Sequence, residues 1–383
     1  MRKARPALGA ALIVLASFLA LSCNNAYGIF QSVQGERAQD GSKIFQKTAA
    51  YSAFLYKGNY YASTIRLNRR PVADGSSWSK LTIGGSGSYV LRSAVLVGSD
   101  TTGTVYALVG IDSSSVALYS STDGDNWTTV AGLPASSVVA HAGSSYAVEQ
   151  LFSANGQLYA VGHAYLPDSS NNVGTSWYDL YHYNGSGFDP VTNRTDLAKT
   201  LRGVAYDGAN YWFASEDILY SGTVAAGVTD QTAPFTGLSS NLIWHITYTN
   251  GFLYVATQNG YLYQGPGSAA RIDSDSRPLT DVVVPYAGLL LVGTDTKDIT
   301  YPAIGYYEGN YPSLSEGSSN AIVSSTSSIY NTTVGSFPVH SFFYDTAAQN
   351  LFVCISPGAS NSSFYGLYES HYDGSSWSGW SAQ

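Results

Sequence analysis

Apolar and polar positions alternate in short runs along most of the chain, and the runs come in pairs. An apolar strand leads into a Gly/Asn turn, and an aromatic-led strand ending in small residues follows. The pattern reads AFLYKG-NYYAST at 53–64, AVLVGSDTTG-TVYALVG at 94–110, EQLFSANG-QLYAVG at 149–162 and GVAYDGA-NYWFAS at 203–215. It continues as HITYTNG-FLYVAT at 245–257, VVVPYAG-LLLVGT at 282–294 and SFFYDTAAQ-NLFVCIS at 341–356. Period-2 alternation with Tyr, Val and Thr predicts strands in both arms. Asn-Gly at 155–156, 250–251 and 259–260 supplies the positive φ that tight turns need.

Tyr61, Tyr106, Tyr159, Trp212, Tyr254, Leu290 and Phe352 are read as equivalent, at steps of 36 to 62 residues. These steps bracket the period of about 40–50 residues expected of propeller blades. Further strand pairs follow the hairpins at 116–130, 179–191 and 366–380. No helical rhythm interrupts the array. Four antiparallel strands repeated seven times predict an all-β fold, a seven-bladed β-propeller over residues 49–383. The alternative is a chain of two all-β domains. Residues 265–282 and 310–336, rich in Ser, Gly and Pro, are expected to be long surface loops.

The N-terminus follows other rules. Arg2, Lys3 and Arg5 precede an apolar run from Ala7 to Leu21, long enough for a signal-peptide core and short for a membrane span. It ends Leu19-Ala20-Leu21-Ser22-Cys23, which resembles a bacterial lipobox. The resemblance implies a signal peptide at 1–22 and lipid attachment at Cys23. Ala20 and Leu21 depart from the usual pattern, and plain secretion with cleavage after Ser22 is the competing reading. Residues 23–48 then form a polar tether with a short helix expected around Ile29 to Ala38. This opening is similar to that of spirochaetal lipoproteins. It implies a chain held by lipid at the cell membrane or outer membrane, facing the periplasm or the outside. The other cysteine, Cys354, lies in an apolar run and reads as a small buried hydrophobe.

Composition narrows the partners. Of 383 residues, 11% are charged and 14% aromatic, with 31 Tyr and 39 Gly. That excludes a coiled coil or a disordered tail. The net charge of −8 argues against nucleic acid. Loss of residues 1–22, which hold three positive charges, would take it to −11.

Asp-Gly-x-x-Trp recurs at Asp74–Trp78, Asp123–Trp127 and Asp373–Trp377, with a decayed copy at Asn184–Phe188. The motif resembles the Asp-box of sialidase-type propellers, one residue shorter. A turn carboxylate can accept its own backbone N–H groups, and the Trp can fill the gap between sheets. In that family the hairpin is structural and lies away from the substrate. The arginine cluster of sialidase catalysis has no counterpart here. Gly-x-Ser-x-Gly and His-Glu-x-x-His are absent. Asp273 and Asp275 are too sparse for a calcium loop. No metal or cofactor is expected.

Chemistry concentrates where the innermost strands begin. The set is Ser52, Arg92, Glu149, Arg202, His245, Asp281 and His340. First strands of a propeller stand side by side around its axis, so equivalent positions form a ring in the wet funnel, where charges find partners or water. A one-residue shift in blades three, five or six would turn a side chain into the packing. The leading expectation is a monomeric, non-catalytic binding or scaffolding module for an envelope protein or glycan. The alternative is a glycan-processing hydrolase or lyase using Glu149 or Asp281, although glycoside hydrolysis needs two carboxylates at a set separation.

Overall fold

The computed structural model describes residues 45, 48–74, 77–85, 89–110, 115–168, 174–223, 227–230, 235, 238, 241–265, 268–273, 275–286, 288–309, 322–323, 337–356 and 366–383. Cys23, the signal segment, the tether and most of 310–336 fall outside these residues. Seven antiparallel sheets follow one another, each built from consecutive strands. Their innermost strands are Ser52–Tyr56, Val90–Val97, Ser145–Ala154, Leu201–Tyr206, Ile243–Thr249, Leu279–Val283 and Val339–Asp345. Each innermost strand packs against the next, and the last returns to the first, which closes a seven-bladed β-propeller. The outermost strands are rudimentary in three blades: Ser79–Lys80, Ile322–Val323 and Ser381–Ala382.

The turns show why the hairpins form. Asn155 and Gly156 have φ of 48° and 68°, and Asn250 and Gly251 have 49° and 86°. Both residues of each turn thus sit in the left-handed region that matches strand twist. Asn259-Gly260 does different work: it joins the second and third strands of blade five.

Alternation fails in the second strands. Asn59–Ser63, Phe252–Thr257, Leu290–Thr294 and Asn350–Ile355 are buried almost end to end. A neighbouring blade covers each face, so both sets of side chains leave water. Each fully buried aliphatic or Phe side chain stabilises by about 1.5–3 kcal/mol. Cys354 belongs to this layer, and burial pushes its thiol up to about 12.

Among the described residues no strand is exchanged where the ring closes. Apart from the Ala50 N–H, which donates to the Ile355 carbonyl at 3.3 Å, side chains make the seam. The Tyr60 hydroxyl donates to Asp345 Oδ2 at 2.8 Å and accepts from Asn350 Nδ2 at 3.1 Å. Arg70 pairs with Glu369 at 2.9 Å and also reaches Gln383. Phe45, just ahead of blade one, is buried edge-on against Trp78 with centroids 4.9 Å apart. A Cβ on Gly366 would lie 2.1 Å from the Phe45 carbonyl oxygen, so only glycine fits there.

The Asp-Gly-x-x-Trp turns are self-bonded. Asp123 Oδ1 accepts the N–H groups of Asp125 and Asn126, both at 2.8 Å. Asp373 Oδ1 accepts those of Ser375 and Ser376. Asn184 Oδ1 does the same for Ser186 and Gly187. Trp78 and Trp377 are buried, and Trp127 packs on the core between blades one and two. In the first copy, Gly75 and Ser76 lie outside the described residues, and Asp74 ends a short 3-10 turn, Val72–Asp74.

The expected loop at 265–282 is corrected. It holds the strand Ser268–Arg271 and the start of Leu279–Val283. Between them Asp273, fully buried, accepts from Arg277 Nη1 at 2.9 Å and Tyr307 at 2.6 Å. The segment is short of apolar residues because an ion pair organises it.

Candidate functional site

In each antiparallel blade, one end of the propeller carries the start of the first strand, the connection between strands two and three, and the crossover to the next blade. The candidate ring lies at this end. There, six of the seven innermost strands are bulged. Arg92, Glu149, Arg202, Trp244 and His340 are each the extra residue between two ladder pairs. In blade six Thr280 and Asp281 together fall between the pairs Leu279–Thr294 and Val282–Val292. A bulge kinks the strand and re-aims a side chain, so a repeated bulge re-aims a whole ring. Blade one carries no such shift: Ser52 pairs directly with Ser63, and their hydroxyls are bonded.

The sequence-expected ring therefore divides. Arg92, Glu149, Arg202 and His340 occupy bulges and are half-buried. His245 and Asp281 stand one position further on, where Ser93 stands in blade two. That position faces the next blade. Ser93 Oγ accepts the Leu151 N–H at 3.1 Å, and Asp281 Oδ2 accepts the equivalent Phe342 N–H at 2.8 Å. Asp281 Oδ1 accepts the Val282 N–H at 2.7 Å and meets His245 Nε2 at 3.2 Å. The Asp281 side chain is 12% exposed, and both of its oxygens are engaged between blades.

A second tier of partners comes from the second strands: His163 inside Gln157–Leu166, and Glu216, Gln258 and Asp295 just past the ends of theirs. His163 Nδ1 meets Glu149 Oε1 at 2.9 Å, and its Nε2 meets Ser176 Oγ at 3.0 Å. Arg202 donates to Glu216 at 2.9 Å, and its guanidinium covers the Trp244 ring at 4.3 Å. Asp295 and His340 face each other electrostatically across blades six and seven. Burial pushes the Asp295 carboxyl up and the His340 imidazole down, and each charge partly offsets the other's shift. His340 also packs on Tyr51, centroids 5.2 Å apart. Buried polar atoms on this rim without a partner among the described residues include Arg66 Nη1, Arg202 Nε, Gln258 Oε1 and Thr280 Oγ1.

Trp244 and the whole second tier escape a reading by alignment of letters. Trp244 looks apolar, so the adjacent His245 takes its place in the ring. Glu216, Gln258 and Asp295 lie just past strands, and His163 lies one residue beyond the hairpin pattern read at 149–162, so no pattern points to them.

Outside the funnel the same end is apolar as well as polar. Val90, Val138, Val139, Leu242 and Ile299 are five of the seven exposed large hydrophobic side chains among the described residues. All five sit at first-strand starts or in the connections of this end. Tyr248 and Tyr286 lie at the other. Ile299, 93% exposed, is presented by a tied loop. Asp298 Oδ1 caps the N–H groups of Thr300 and Tyr301, and Lys297 Nζ reaches the Asp275 carbonyl at 3.0 Å. On blade three, His141 stacks on Trp177 at 3.7 Å and meets Asp196 at 2.7 Å.

Among the described residues no group of three His, Cys, Asp or Glu converges as a metal site. The arrangement offers a shaped rim with aromatic, charged and apolar contacts. The two carboxylates weighed for catalysis are in different blades, each already bonded within the protein.

No family model matches the sequence, and no curated relative does. Similar solved structures exist. One is YCF48 bound to a D1 peptide, with TM-score 0.53 and 11% identity over 88% of this chain and 98% of that one. Another is the extracellular domain of a putative hybrid two-component system from B. thetaiotaomicron, with TM-score 0.50 and 14% identity. It aligns over 85% of this chain, which spans 38% of that one. At such identities the likeness is one of fold, and the fold is the propeller.

Proposed function

We propose that this chain is a lipid-anchored envelope protein whose propeller binds a protein partner through the bulged end. The carrying observation is the segregation of exposed hydrophobic side chains to that end, around a ring of re-aimed polar residues. Exposed apolar groups rimmed by polar ones mark interaction surfaces, and a few aromatic or charged anchors carry most of the energy. YCF48, similar in fold, is seen with a peptide bound. Anchoring rests on the lipobox-like segment ending in Cys23. The cell membrane or outer membrane is the expected site, with the propeller facing the periplasm or the outside.

Glu149 and Asp281 act as ties within this reading, the first to His163 and the second to backbone N–H groups and His245. A glycan ligand would use the same rim, but the valine, leucine and isoleucine contacts suit a polypeptide better.

The test is co-purification from crosslinked cells. A stoichiometric protein should accompany the tagged wild type and be lost from Leu242→Asp/Ile299→Asp. Recovery of the wild type alone would count against the proposal.

A further inference from the structure

Two arginines, Arg66 and Arg194, carry buried guanidinium nitrogens and no carboxylate partner among the described residues. Arg194 is 5% exposed and closed off over Tyr220, whereas Arg66 is half-buried and open to a ligand. Arg69, Arg70, Arg202 and Arg277 each reach a carboxylate at 2.6 to 2.9 Å. The Arg66 guanidinium makes no ion pair among the described residues, and its Nη1 is buried without an acceptor. Yet it is held in place. The turn between the second and third strands of blade one is locked on the Arg66 backbone. Its N–H donates to Thr64 Oγ1 at 3.0 Å, and its carbonyl accepts from the Thr64 N–H at 2.8 Å and Asn68 Nδ2 at 3.1 Å. The guanidinium lies over the Tyr89 ring at 5.0 Å. Tyr89 is itself fixed, accepting the Leu67 N–H and donating to the Leu81 carbonyl, both at 3.1 Å.

Arg66 is half-buried, and the partial loss of water around its guanidinium disfavours the charged form until an anion compensates it. A planar fork held by its backbone and by a ring loses little further freedom when it receives an oxyanion. Its surroundings describe the rest of the ligand. The Ile65 carbonyl accepts the Leu91 N–H at 2.9 Å, which places Arg66 at the seam between blades one and two. On that seam stand Val90, exposed, and Arg92 at its bulge.

We propose that Arg66 receives a single carboxylate carried by an otherwise apolar peptide segment lying on this seam. The proposal rests on the protein-binding reading above and names the partner's chemistry. A run of acidic residues fits less well, because the chain's net charge of −8 repels it while Arg66 attracts one carboxylate. Arg92, the second cation of the seam, already has a contact within the protein. Val90 supplies the apolar contact beside the charge.

The probe is an array of amidated nonapeptides, apolar apart from one central Asp, Asn or Lys, screened with the full-length protein in detergent. Retained peptides are then measured by fluorescence polarisation. Asp peptides should be the ones retained. Arg66→Gln should weaken them by about tenfold or more, the usual effect of losing a charge-assisted bond. Arg66→Lys, which keeps the charge and loses the fork, should fall between. Arg69→Gln, in the middle of the third strand and already paired with Asp125 of blade two, should bind as wild type. Unfolding curves of each variant check that the fold is intact. Equal binding of Asp, Asn and Lys peptides, or no loss in Arg66→Gln, overturns the assignment and leaves peptide binding standing. Displacement of the peptide by equimolar acetate also overturns it, showing a small-anion site. Absence of binding by every peptide class overturns both this assignment and the peptide mode of the proposed function.

Discussion

His245 of blade five meets Asp281 of blade six at 3.2 Å, and the same carboxylate accepts the backbone N–H of Phe342 in blade seven at 2.8 Å. One side chain thus ties three consecutive blades near the funnel. Ser93 makes the corresponding tie between blades two and three. Propeller blades share no backbone ladder with their neighbours, so such side-chain bridges, with the apolar layers, fix each blade's angle to the next.

Replacing Asp281 with Ala leaves the buried Phe342 and Val282 N–H groups without acceptors. The expected loss is about 2–6 kcal/mol of unfolding free energy, from roughly 1–3 kcal/mol for each of the two stranded groups. Asp281→Asn keeps an acceptor oxygen and should lose less. Urea unfolding of the two variants checks the order.

The seam between blades one and seven offers a second test. Arg70 and Glu369 are largely buried, and removing one partner of such a pair typically costs about 3–5 kcal/mol. Arg70 also lies over Tyr60, Trp78 and Phe352, at 5.3, 5.3 and 5.7 Å. Arg70→Ala should lower the melting temperature more than Arg69→Ala, whose partner Asp125 is mostly exposed. Scanning calorimetry reads the difference.

Acid sensitivity follows from the self-bonded turns. N–H donors hold the Asp123 and Asp373 carboxyls well below the usual carboxylate range. A depressed folded-state pKa gives stability that is present above the unfolded value of about 3.9 and is lost as pH falls through the folded one. Asp123→Asn and Asp373→Asn should be less stable than wild type at pH 6, with the gap narrowing toward pH 2. Asn184, which makes the same turn with an amide, shows that the geometry survives the change. Denaturant midpoints across this pH range provide the check.

Lipid attachment is tested by metabolic labelling with an alkyne palmitate analogue. The wild type should be labelled and sediment with membranes, and Cys23→Ser should be unlabelled and appear in the soluble fraction. Equal sedimentation of both proteins would remove the anchor from the account.

The fold was legible because hairpins repeat as letters: Asn-Gly turns in blades three and five, and an apolar second strand, mostly led by an aromatic, in each blade. The register of the funnel was less so. A bulge adds one residue to a strand without any residue type of its own, so Trp244 hid beside His245, and Asp281 looked like a funnel charge when it is an inter-blade tie. Blade six was obscured further, since its crossover is shaped by the Asp273–Arg277 pair rather than by apolar residues. Partners such as His163, inside a second strand, and Glu216, just past one, become visible only when the strands are placed in space. Arg66 escaped notice because its lack of a partner is a property of the packed structure.

The most direct test of the central claim is site-specific photocrosslinking in living cells. A photoreactive phenylalanine analogue replaces Leu242 or Ile299 at the bulged end, and Tyr248 or Tyr286 at the other. The account predicts a discrete protein adduct from positions 242 and 299 and none from 248 and 286. Adducts from 248 and 286 alone, or equally from all four, would contradict it.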